Sequence, residues 1–256
     1  MKPQYYDFIE LFKNNIKIEH ICSDLKCWES DLESRETALQ FMKDNNFTLL
    51  GIKKKGIVLS KVLNNKGIIE DINLNEIIRK NLPITELLDK FMNEHKTHYF
   101  ININGNIEKI VTNGDLQKGP ARLLLFGLIM NFEVVCIEFI LRYAPNWQEI
   151  LDQKFFKNIK ERYESLKTQD LEIDMLHCSF LDDKIEIIKE VEKFKDFCSA
   201  CKKDEGDIRF NLKKLKKLRN NLAHSNSMRA DFNKWDELLE SIRICRIFTG
   251  EMRKFL

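Results

Sequence analysis

With 256 residues, 43% hydrophobic and 32% charged, the chain has the composition of a folded globular protein. Its 9 glycines and 4 prolines are too few for a fibrous or low-complexity chain, and its seven scattered cysteines form no disulfide framework. A formal net charge of +2 singles out no class of partner, and the length suits two domains. The opening MKPQYYDFIE has neither the basic start nor the apolar core of a secretion signal, so the expected compartment is the cytoplasm, with reduced thiols.

Two stretches of the first half resemble each other. RETALQFMKDNNFTLLGIKKKGIVLSKVL (35–63) and TELLDKFMNEHKTHYFININGNIEKIVTNGDL (85–116) each open on a helical pattern, with Phe41-Met42 and Phe91-Met92 at matching places. Each continues with a strand (FTLLGI or THYFINI), a turn (KKKG or NGN) and a second strand (GIVLS or EKIVT). The alignment puts an insertion of three residues across the second turn and sets Ser60 opposite Thr112, with Leu63 in the place of Asp115.

This repeat resembles a tandem pair of CBS domains, and IVTNGDL (110–116) is similar to the closing strand and hydroxyl–x–x–Asp of that family. The resemblance implies an α+β domain over residues 1–119, built of two β-α-β-β-α-like repeats. It also implies an adenosine-type ligand (AMP, ATP, S-adenosylmethionine or a cyclic adenylate) held by Asp115 on the ribose hydroxyls and Thr112 on a phosphate. Ser60 would be the counterpart in the weaker first copy. An alternative for Asp115 is the N-cap of the helix that follows.

Past Gly119-Pro120 the strand signals stop, and residues 120–256 are expected to form an all-α bundle. Residues 122–143 give an apolar helix long enough to span a bilayer. Asn131, Glu133 and Glu138 interrupt it, so it is read as the core helix of a soluble protein with no membrane partner. Helices are then expected over 147–168, 181–201, 210–222 and 232–255. Cys198 and Cys201 form a lone CxxC with His177 and Cys178 upstream; a single CxxC on a helical stretch favours plain reduced thiols over a zinc site, and no metal is expected.

The fourth helix carries NLKKLKKL on a leucine stripe and ends on RNNLAHS (219–225). Arg219, Asn220 and His224, within a helical domain of this size, are similar to the Arg–x4–His signature of HEPN domains. The resemblance implies a homodimer in which two motifs face one cleft, and a metal-independent endoribonuclease needing no cofactor for catalysis. The residue chemistry suits that reaction. Histidine titrates near neutrality and serves proton transfer. Arginine offers a fixed fork to phosphate oxygens, and Asn220 can orient the histidine. Lys213, Lys214, Lys216 and Lys217 would hold the backbone of single-stranded RNA without reading its sequence. The expected protein is thus a ribonuclease giving 2′,3′-cyclic phosphate ends, gated by the nucleotide, in stress response or anti-phage defence. The alternatives are a non-enzymatic dimeric nucleotide-binding regulator and a toxin-like HEPN partner of another protein. Simple helix capping by Asn221 or His224 is the bland account of the motif.

Overall fold

A computed structural model describes residues 8–169 and 173–256. The first seven residues, read above as carrying no secretion signal, and residues 170–172 lie outside it. The chain divides into two compact units, Met1–Arg122 and Leu123–Leu256.

In the first unit α1 (Phe8–Asn15) precedes a short strand, β1 (Ser23–Asp24). Two modules follow. The first is β2 (Cys27–Glu29), α2 (Arg35–Asp44), β3 (Leu49–Lys54), β4 (Ile57–Asn64) and β5 (Ile69–Asp71). The second is β6 (Ile77–Arg79), α3 (Ile84–Glu94), β7 (His98–Ile103) and β8 (Asn106–Thr112). The first makes a four-stranded sheet, β2-β3-β4-β5, and the second, joined by β1, makes another, β1-β8-β7-β6. The leading strand runs parallel to the next across the helix, Cys27 beside Gly51 and Ile77 beside Phe100. The hairpin strands then run antiparallel.

Both hairpins reverse on two residues with positive φ, Lys55-Gly56 (52° and 74°) and Asn104-Gly105 (52° and 94°). That backbone twist matches the twist of the flanking strands. Equal turns remove the expected three-residue insertion. The register pairs Leu49 with Asn64 and His98 with Thr112, so Asn64, not Ser60, occupies the place of Thr112. Ser60 is an exposed mid-strand residue whose carbonyl accepts from Ile72 N.

Helical periodicity supplies the apolar faces: Ala38 and Met42 of α2, and Ile84, Leu87, Leu88, Phe91 and Met92 of α3, are buried. Met42 packs with Trp28, Leu50, Ile52 and Leu63. A second cluster joins Val62 of β4 to Phe100 and Ile107 of the other sheet, which welds the modules together.

The second unit is helical, as its sequence pattern implies. Its elements are α4 (Gly119–Tyr143), α5 (Gln153–Lys167), α6 (Leu181–Glu190), α7 (Phe194–Cys201), α8 (Glu205–Ala223) and α9 (Trp235–Arg253). The helix expected over 181–201 is two. Val191 adopts an extended conformation, φ −75° and ψ 133°, and the chain restarts at Phe194. No Gly or Pro marks this break. Phe194 and Phe197 turn inward onto Phe248, and Phe197 meets Phe139 at 5.3 Å between ring centroids, so tertiary packing decides the joint. Ile208, Leu212, Leu215, Leu218 and Leu222 bury one stripe of α8, which packs on α9.

Among the described residues α4 is the one helix long and apolar enough to cross a membrane, with a mean hydropathy of 2.2 over its most apolar window. Of that window 67% is buried inside the fold, as in a core helix. The polar residues within it are engaged internally. Asn131 Oδ1 accepts from Arg253, and Glu133 Oε1 accepts from Lys184 Nζ at 2.9 Å. One face stays open: Leu123, Met130, Val134 and Leu141 are exposed and recur at intervals of seven, four and seven.

Candidate functional site

The C-terminal half of α8 holds the expected catalytic and RNA-binding residues. Asp204 caps the start of the helix by accepting from Asp207 N at 2.8 Å. The leucine stripe then faces the core, which leaves the remaining positions of the helix to solvent or to neighbouring helices. Lys213, Lys217, Asn220 and His224 recur at intervals of four, three and four, so they share one helical face. Arg219 lies about 100° round the axis from Asn220.

Three of the four lysines are ion-paired. Lys214 reaches Glu237 at 2.5 Å and sits over the rings of Phe210 and Phe232. Lys216 pairs with Asp182, and Lys217 reaches Asp231 at 3.0 Å. Lys213 is exposed and has no ion pair among the described residues. Lys214 is mostly covered and serves packing. The pairs of Lys216 and Lys217 are open to water, where such contacts contribute about 0–1 kcal/mol and yield readily to a phosphate.

Arg219 differs from these lysines. Its Nη1 donates to Asn220 Oδ1 at 3.3 Å, and among the described residues no carboxylate pairs with it and its buried Nε has no acceptor. Its fork is therefore held by a neutral amide and keeps capacity for an anion. His224 ends the helix: its N–H donates to Asn220 O at 3.0 Å while the residue itself is exposed. The other asparagine of the motif is structural. Asn221 is buried, and its Nδ2 donates to Asp231 Oδ2 at 3.0 Å, while its carbonyl accepts from Asn226 N. Lys217, and then Asn221, hold the Asp231 carboxyl below the usual range. Asp231 thus ties the loop after the motif back to α8. Sequence reasoning missed this residue, because nothing in the pattern of 225–234 marks it.

Asp115 and Thr112 lie together in the first unit, in the turn after β8. Asp115 Oδ2 accepts from Thr112 N at 2.7 Å and from Thr112 Oγ1 at 3.0 Å. Its Oδ1 accepts from Ser23 Oγ at 3.1 Å and pairs with Lys118 Nζ at 2.7 Å. Lys118 also donates to the carbonyl of Ile21. The buried carboxylate is therefore a clamp that joins the end of β8, the start of β1 and Lys118, and an incoming ribose would have to displace Ser23 or Lys118. Asp115→Ala should lower stability by about 1–3 kcal/mol, since it leaves several donors without acceptors. Urea titration of the variant measures this directly, and an unchanged midpoint would dismiss the clamp.

Cys178, Cys198 and Cys201 are free and buried, and burial pushes the Cys201 thiol up to about 12. Among the described residues no group of three or more His, Cys, Asp or Glu is disposed to hold a metal.

No family model matches the chain, and no curated protein matches it. Among solved structures, an uncharacterised conserved protein from Pyrococcus horikoshii is similar at 20% identity. It covers 41% of this chain and 90% of that chain with a TM-score of 0.32, a likeness too slight to carry an argument.

Proposed function

We propose that the helical unit is a metal-independent endoribonuclease acting on single-stranded RNA, with Arg219 and His224 as its working pair. The observation that carries this is the state of those two side chains. On a helix whose other cations are mostly paired, Arg219 has no carboxylate partner among the described residues and a buried Nε without an acceptor, and His224, five positions further on, is exposed. In the reaction, the RNA 2′-oxygen forms a bond to its adjacent phosphorus and the bond to the 5′-oxygen breaks. A base takes the 2′ proton, and an acid delivers a proton to the leaving oxygen. His224 fills one of these roles, and the Arg219 guanidinium stabilises the charge that builds on the phosphorane oxygens. One pair supplies one proton-transfer group, so the second comes from another copy of the chain.

The exposed stripe of α4 suits such a pairing. Its spacing is palindromic about Phe132: an antiparallel copy sets Leu123 against Leu141 and Met130 against Val134. A self-complementary patch is what a two-fold interface requires. Val134→Glu, which puts a charge at the seam, should convert a dimer into a monomer by light scattering at micromolar concentration. A wild-type protein that is itself monomeric there would remove both the interface and the two-copy site.

In this reading the first unit senses an adenine nucleotide, supported by its paired modules and by the resemblance of the second to a CBS domain. Calorimetry with AMP, ATP, S-adenosylmethionine and cyclic adenylates tests the sensor, and heats of dilution alone from all of them would dismiss it. The ribonuclease is tested by incubating single-stranded RNA in EDTA: products ending in 2′,3′-cyclic phosphate are expected. A non-enzymatic dimeric regulator is the second reading, favoured by the neutralisation of Lys214, Lys216 and Lys217. Uncut RNA under every nucleotide condition would select it.

A further inference from the structure

The helical unit contains a cavity of about 590 Å³ that the residues of the motif do not line. Ile150, Leu151, Phe155 and Ile185 wall it, and Lys213 and Lys217 stand at its side. Ile150 and Phe155 are 37% and 52% exposed, so two large apolar side chains of this wall lie open to water. Carboxylates also reach the cavity: three are ion-paired, and Asp152 is held only by a main-chain N–H, with no cation partner among the described residues. Asp152 caps α5 by accepting from Lys154 N. Asp182 pairs with Lys216, and Glu186 with Lys189. Asp183 accepts from Phe180 N and lies 3.8 Å from Arg162. Among the described residues, Lys213 is the lining cation without an ion-pair partner. An apolar chamber with one available cation suits a flat, weakly polar body that carries an anion.

The helix relates this chamber to the motif. Lys213 and Lys217 share a face of α8 with Asn220 and His224. At ~1.5 Å per residue, His224 lies roughly 10 Å along the axis from Lys217 and roughly 16 Å from Lys213. That span corresponds to a few nucleotides of an unstacked strand. We infer that the chamber takes one unstacked base of a single-stranded RNA, packed against Phe155, with Lys213 on the phosphate of that nucleotide. The inference rests on the ribonuclease reading and adds a subsite to it: the protein cuts at a fixed distance from the base it holds.

The test measures binding by fluorescence anisotropy with the full chain carrying His224→Ala, so that RNA stays intact. A labelled oligoadenylate is compared with the same strand made abasic. The abasic strand is expected to bind about tenfold more weakly, the usual loss for one stacked base. Adding Phe155→Ala should weaken the intact strand by a similar factor while leaving the abasic strand where it was. Lys213→Ala should weaken both strands alike and flatten their salt dependence. Equal affinity for the intact and abasic strands overturns the subsite, and this arm needs no change in the chamber itself. AMP that binds with the strand's own affinity, and loses that binding in Phe155→Ala, overturns the assignment to a strand. A parallel cleavage assay with the unaltered protein separates the two ideas. Cleavage without base dependence in binding removes the chamber and leaves the ribonuclease. Base-dependent binding without cleavage under any nucleotide condition keeps the chamber and removes the ribonuclease.

Discussion

Replacing His224 with alanine should slow RNA cleavage by about 10²–10⁴-fold, the usual cost of losing a positioned proton-transfer group. The side chain is exposed and stands at the end of α8, so the substitution removes no packing and should leave the fold intact. Arg219→Ala should cost a comparable ~10²–10³-fold, because in the proposed reaction it withdraws the charge set against the phosphorane. Arg219→Lys should rescue it only in part: an ammonium restores the charge and not the planar fork. The measurement is initial rates on single-stranded RNA in EDTA, with the dimer verified for each variant. Wild type and His224→Ala cutting at the same rate would end the assignment, since the activity would then belong to something else. Loss of cleavage on adding EDTA would end the metal-free mechanism while leaving a nuclease to explain.

The largest stability effect is expected at Lys184. This lysine is 1% exposed, and its Nζ donates to Glu133 Oε1 at 2.9 Å and to Ser179 O at 2.7 Å, which ties α6 to α4 inside the helical unit. Glu133 Oε2 is buried with no hydrogen-bond partner among the described residues. Lys184→Ala therefore leaves a carboxylate charge in an apolar interior and should destabilise the unit by about 3–5 kcal/mol. Removing both charges is a different matter. Lys184→Met with Glu133→Leu keeps volume and removes the desolvation penalty, so it should match the wild type or exceed it by about 1–4 kcal/mol. Urea unfolding followed by the fluorescence of Trp147 and Trp235 reports on this unit. A double variant as unstable as the single one would show that the lysine matters for the Ser179 carbonyl and not for its charge partner.

The sequence made some of this legible and concealed the rest for physical reasons. The two hairpins were readable because each combines alternating apolar residues with a Gly-containing turn. α8 and α9 were readable because their apolar residues keep helical spacing. The leading strands β2 and β6 were not, since CWE and IIR are too short to show any period. The joint between α6 and α7 left no Gly or Pro, only aromatic packing that a linear pattern cannot display. At the site, the motif and its lysines were legible as residues on a helix. Their partners were not: Asp182, Asp231 and Glu237 lie 34, 14 and 23 positions away from the lysines they neutralise. A run that looks strongly cationic in one dimension is therefore close to neutral over much of its length in three. Asp115 shows the same limit, because Ser23 reaches it from the far end of the unit.

That last contact governs how the first unit comes into being. Strand β1 precedes both modules in the chain, yet Ser23 and Asp24 pair with Ile110 and Lys109 at the edge of the second sheet. During synthesis the segment around Ser23 must wait, unpaired, until nearly the whole unit has left the ribosome. The first module can assemble early from neighbouring elements, while the second closes only when the earliest strand meets the latest. Non-local pairing of this kind slows folding. It also makes the modules inseparable as gene fragments: a piece starting at Cys27 would carry every residue of the second module's own elements and still present an open edge along β8, a template for another chain.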